Sequence, residues 1–120
     1  MKKPTWKKKI IAACEEVGTY RPAFDSVIDT LSEILERRDE ANTVFEKTGG
    51  NVIVTHTNKS GAKNLEQHPA LRLAADLNRD ALAYWRDLGL TPSGLKKLSA
   101  DVVQDKGSDG LEKILAKLAE

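Results

Sequence analysis

Apolar residues along this chain recur at steps of three and four, the spacing that lines one face of a helix. Trp6, Ile10, Ala13, Cys14 and Val17 make the first such stripe. It predicts a helix that begins near Pro4 and Thr5, with Thr5 as N-cap, and ends at Gly18, a residue free to take positive φ. Phe24, Val27, Ile28, Leu31, Ile34, Leu35, Ala41, Val44 and Phe45 form a second, longer stripe. Pro22 and Asp25 suit its start, and Thr48-Gly49-Gly50 stops it. At about 1.5 Å per residue this helix spans roughly 35–40 Å, longer than a globule of this size requires, as is common in helices that pack against neighbouring subunits. Its other face carries Asp29, Glu33, Glu36, Arg37, Asp39, Glu40 and Glu46, and reads as an acidic, solvated surface.

Residues 51–57 (NVIVTHT) break the helical period. With a return through Asn58-Lys59-Ser60-Gly61, residues 51–64 predict a short hairpin or an ordered loop, whose unpaired edge would invite another chain. A third helix should start at Pro69, turn Leu73, Leu77, Ala81, Tyr84 and Leu88 inward, and stop at Gly89. A short fourth follows, with Thr91 as N-cap, Pro92 at the first helical position, and Leu95 and Leu98 inward. Residues 99–110 read as a polar linker. Asp109 and Glu112 then fit a capping box for a tail helix carrying Leu111, Ile114, Leu115 and Leu118. That segment is too short to be stable alone, so it must dock on the body or on a partner. The expected fold is all-α: a small helix bundle with one long central helix, a hairpin or loop near 51–64, and a C-terminal tail helix. Residues 1–98 would form the core and 99–120 the linker and tail.

Composition narrows the classes. Aromatics are only 5% of the 120 residues, which suits packed helices better than a β-sandwich. Nineteen Lys and Arg against eighteen Asp and Glu give a net charge of +1, excluding a polybasic tail and an acidic disordered chain. The longest apolar runs, such as residues 10–13, fall far short of the roughly 20 residues a membrane span needs or the roughly 7–15 of a signal core. Cys14 is the sole cysteine, so neither an internal disulfide nor a cysteine cluster for zinc can form. A soluble chain of a reducing compartment is expected.

Nothing in the chain composes a catalytic constellation. His56 and His68 lie twelve residues apart, without metal-ligand spacing, and read as surface or loop histidines. Cys14 falls on the inward stripe, which predicts a buried thiol and not a nucleophile. Gly49-Gly50 is not followed by the Lys of a phosphate loop. No cofactor, metal or small-molecule substrate is therefore expected. Lys2, Lys3, Lys7, Lys8 and Lys9, beside Trp6, put five cations within nine residues. This is the helix end where the macrodipole disfavours positive charge by roughly a few tenths of a kcal/mol each. They either neutralise phosphates, with steeply salt-dependent affinity, or simply solubilise the chain. A low net charge is weak for a monomeric DNA binder, but an oligomer would multiply five lysines into a belt.

Residues 68–98, HPALRLAADLNRDALAYWRDLGLTPSGLKKL, resemble the C-terminal signature of the P27 family of phage terminase small subunits. In both, a Pro-led helix runs into an LGLTP turn, here Leu88-Gly89-Leu90-Thr91-Pro92 with Leu98. Trp6, the long second helix, and Gly49, Gly61 and Pro69 follow the same order, so the resemblance covers residues 5–98. The chain departs at His68, where the family usually has Asn, and at Gly94, Lys96 and Lys97, which replace a more Ser/Arg-rich turn. The resemblance implies a non-enzymatic, helical component of viral genome packaging. Such a subunit assembles into a homo-oligomeric ring in the host bacterial cytoplasm, binds double-stranded viral DNA, and recruits the large subunit that holds the ATPase and nuclease. On that reading Lys2, Lys3, Lys7, Lys8 and Lys9 contact DNA. Leu31, Ile34, Leu35, Phe45, Leu77, Tyr84 and Trp85 form the ring contacts, and Leu111, Ile114, Leu115 and Leu118 meet the large subunit. Two other classes stay open: a dimeric helix-turn-helix DNA-binding regulator, and a protein-interaction adaptor that binds no DNA.

Overall fold

The computed structural model describes residues 1–100 together with Leu118. Helix α1 (Lys3–Val17) begins ahead of the expected cap, because Pro4 with its fixed φ lies in the first turn while the N-cap, Lys2, makes no side-chain bond. Gly18 closes it at φ 80°, where its own amide donates to the Glu15 carbonyl and that of Thr19 to Cys14. A 3-10 turn (Pro22–Phe24) leads into α2 (Asp25–Lys47). Strands β1 (Ile53–Thr57) and β2 (Lys63–Gln67) then pair antiparallel, with Thr55 opposite Leu65. Helix α3 (Pro69–Asp87) follows, and after a four-residue turn residues 92–100 are helical again (α4).

The core is a narrow seam in which α2 packs against both α1 and α3. Ile10 and Cys14 enter it from α1, Ile28, Leu31, Ser32 and Leu35 from α2, and Ala81 from α3. The one polar member is satisfied within its own helix, where the Ser32 hydroxyl donates to the Ile28 carbonyl at 2.7 Å. Cys14 is buried as its stripe predicts, and burial raises the pKa of its thiol, partly opposed by a hydrogen bond with Thr19, which favours the protonated form. Leu31 and Leu35 are fully buried inside a single chain. They are core residues, which corrects their assignment to the ring contacts. On α3 the buried positions are Ala74 and Ala81, while Leu73 stays half-exposed. Small side chains let α3 lie close to α2, and the leucines fall to the flanks.

His68 is 8% exposed, which corrects its reading as a surface or loop residue. Its Nδ1 accepts from the Ala70 amide at 3.0 Å and so caps α3. That leaves Nε2 to donate to the Thr48 hydroxyl, 2.6 Å away, and the Phe45 ring meets the imidazole edge-on at 5.3 Å. One side chain thus ties the end of α2 to the start of α3.

The segment read as a hairpin or loop is a hairpin, reaching Gln67 where 64 was expected. The Asn58 carboxamide oxygen organises its tip, accepting from the Ser60 hydroxyl and from the amides of Ser60 and Ala62. The hairpin makes little contact with the helices, and Ile53 and Leu65 are 61% and 78% exposed. Ser99 and Ala100, read as the start of a linker, continue α4. The tail helix lies outside the described residues except for Leu118, which is exposed. Among the described residues no helix is long and apolar enough to cross a membrane.

Candidate nucleic-acid interface

The five N-terminal lysines do not act as one patch. Lys3 and Lys7, one turn apart on α1, face Asp29 and Asp25, one turn apart on α2. Lys3 Nζ lies 2.9 Å from Asp29, and Lys7 Nζ lies 3.1 Å from Asp25 and 3.5 Å from Asp29. Lys2 approaches Glu36 and Glu40 at 3.9 and 4.0 Å. Part of the α2 face expected to be solvated, at Asp29, Glu36, Asp39 and Glu40, is therefore counter-charge for α1, while Arg37 and Glu46 stay exposed and Glu33 pairs with Arg37. Nearby carboxylates also supply the reason for lysines at a helix start, offsetting the macrodipole. Lys8 and Lys9 are exposed and have no carboxylate partner among the described residues.

Trp6 is likewise engaged inside the chain. Its indole N–H donates to Asp39 Oδ2 at 2.8 Å, and its ring has the Arg38 guanidinium 5.3 Å and Lys9 Nζ 5.8 Å from its centre. Asp39 also accepts from the Met1 amine at 3.1 Å and from Arg38 at 3.0 Å. Burial pushes the Asp39 carboxyl up, but hydrogen bonds from Trp6, Arg38 and the amino terminus outweigh it and hold the pKa below the usual value. The hydrogen bond from Lys3, opposed by desolvation, lowers Asp29, and the same contact raises Lys3; Lys7 is raised chiefly by its hydrogen bond to Asp25.

For carboxylates with depressed folded-state pKa, the stabilisation is complete above the unfolded value near 4 and is lost as pH falls through the folded value. Acidification below about pH 4 is thus expected to loosen the α1–α2 contact. Thermal midpoints of the native chain should drop through that window, and those of a D29N/D39N variant should drop less. Equal acid slopes in the two proteins would refute the assignment.

Two further features were not legible as sites. Between α2 and α3, Ala41, Val44, Ala70, Leu73 and Leu77 line an apolar groove flanked by Arg37 and Glu40, with Val44 50% and Leu73 51% exposed. At the far end of α3 the Thr91 hydroxyl caps α4 by accepting from the Gly94 amide at 3.0 Å. Ser93, Lys96, Lys97 and Ala100 then share one exposed face at helical spacing, while Gly94 is buried and Leu95 and Leu98 turn towards Gly89. Arg86 borders the same cleft as Gly94 and Lys97. The Thr91 cap, Pro92 and the inward Leu95 and Leu98 mark this helix in the sequence, and the Lys-Lys pair between the two leucines is the signal for its basic face. Among the described residues, no three His, Cys, Asp or Glu side chains gather as a metal site would require.

A family model described as phage terminase, small subunit, matches residues 3–105. No curated protein and no solved structure matches the chain.

Proposed function

Because the chain belongs to the phage terminase small-subunit family, we propose that it is the non-catalytic, DNA-binding subunit of a viral genome-packaging machine, assembling as a homo-oligomeric ring that engages double-stranded viral DNA and recruits the large ATPase and nuclease subunit in the host cytoplasm. The family match carries this reading, since it runs through every described helix and the hairpin. The finer placement in the P27 group rests on the Leu88–Pro92 turn and Leu98.

Assembly is supported by apolar surface that a single chain leaves uncovered. Ring contacts are assigned to Phe45 and Leu77, joined by Val44 and Leu73 of the groove. Ile34, Tyr84 and Trp85, packed on the core, contribute only their outer edges. Lys8 and Lys9 are assigned to phosphates, while Lys2, Lys3 and Lys7 hold α1 on α2. The tail residues Leu111, Ile114, Leu115 and Leu118 remain our candidates for the large-subunit contact.

Light scattering at low and high salt tests the reading, together with retention on double-stranded DNA. The expected mass is many times 13.2 kDa, with DNA retention that weakens as salt rises. A monomer or dimer at both salts would instead favour a regulator or adaptor. Lys8→Glu with Lys9→Glu should weaken retention and leave the mass unchanged. Lys7 is unsuited to this test, because a glutamate there would face Asp25 and Asp29.

A further inference from the structure

We propose that the exposed face of α4, formed by Ser93, Lys96 and Lys97 with Arg86 alongside, is the surface that enters the major groove of double-stranded DNA. The inference rests on the DNA-binding role proposed above and names its principal contact. Charge is the first argument. Of the five N-terminal lysines, Lys3 and Lys7 pair closely with carboxylates of α2 and Lys2 approaches two more, whereas residues 92–100 contain two lysines and no acid, the neighbouring Arg86 and Asp87 offsetting each other. Neither Lys96 nor Lys97 has a carboxylate partner among the described residues.

Shape is the second argument. Helices α3 and α4 are joined by a four-residue turn containing a glycine, a connection that helix-turn-helix units use to present a short second helix to the major groove with its early residues reaching base edges. Lys96 and Lys97 supply donors for guanine edges or phosphates, and the Ser93 hydroxyl can donate or accept at any base. Rigidity is the third. The backbone of α4 approaches α3 so closely at Gly94 that a Cβ there would sit 2.3 Å from the Arg86 carbonyl oxygen, and the Thr91 cap fixes the first turn. A contact face held in this way loses little freedom on binding.

The test is fluorescence anisotropy with a duplex of about three helical turns, titrated at several salt concentrations. Native chain, an S93A/K96A/K97A variant and a K96R/K97R variant are compared, with solution mass checked for each. Loss of at least about tenfold in affinity for the alanine variant, with a salt slope shallower by about two per engaged subunit, is expected, while the arginine variant stays near native. Native affinity in the alanine variant overturns the inference and leaves the DNA-binding reading in place. Failure of the native chain to bind the duplex at low salt overturns both.

Discussion

Replacing Leu35 with alanine should lower the free energy of unfolding by about 2–5 kcal/mol. Leu35 is fully buried among Ile10, Cys14, Ile28 and Leu31 at the seam where α1 and α2 meet. Truncation removes its apolar area from the core and leaves a cavity that the surrounding helices fill only in part. The seam is thin, with few large buried side chains, so no second core can absorb the loss. Urea denaturation would show a lower midpoint with an unchanged slope. Leu73→Ala is the informative contrast: half-exposed on α3, it should barely move the stability of a subunit but reduce the solution mass. If L35A lowered the mass at native stability, Leu35 would return to the ring interface and the core described above would be wrong.

Gly94→Ala is the second large effect. A methyl group at Gly94 meets the Arg86 carbonyl oxygen at 2.3 Å and the Thr91 hydroxyl at 2.9 Å, and the first of these is backbone that cannot turn aside. Overpacking of this kind costs about 1–3 kcal/mol, relieved by α4 lifting from the end of α3. Amide exchange in residues 92–98 should accelerate by roughly 5- to 150-fold, with α1 and α2 protected as before. Unchanged exchange in α4 would mean that the two helices do not pack this closely in solution.

Much of the architecture could be read from hydrophobic spacing, and the failures have identifiable causes. Periodicity found α2 almost whole because its stripe is continuous and its ends are marked by Pro22 and Gly49-Gly50. The same rule is only partly right on α3, where it selects Ala81 and Leu88, which are buried, but also Leu73, which is half-exposed, and passes over the buried Ala74. Spacing identifies a face but not the line along it where a neighbouring helix comes nearest, and close approach favours the smallest side chains. His68 was missed because an imidazole acting as an N-cap looks, in sequence, like a histidine before a loop proline. The lysines were read as free because spacing within α1 carries no information on its register against α2. That register, one turn matched to one turn, decides that Lys3 and Lys7 meet carboxylates while Lys8 and Lys9 do not.

The pairing of α1 with α2 also bears on how DNA binding by this chain must be measured. Besides the packing and hydrogen bond of Trp6, the first turns of α1 carry ion pairs of about 3–4 Å, partly open to solvent, which added electrolyte weakens. Salt that strips counter-charges from a DNA complex therefore also releases Lys2, Lys3 and Lys7 from their carboxylates. Freed ammonium groups become competitors for phosphate, so the two effects oppose each other in one titration. The slope of log affinity against log salt is then flattened, and the phosphate number taken from it undercounts the contacts. Neutralising Asp25 and Asp29 would remove that compensation and give the steeper, true slope.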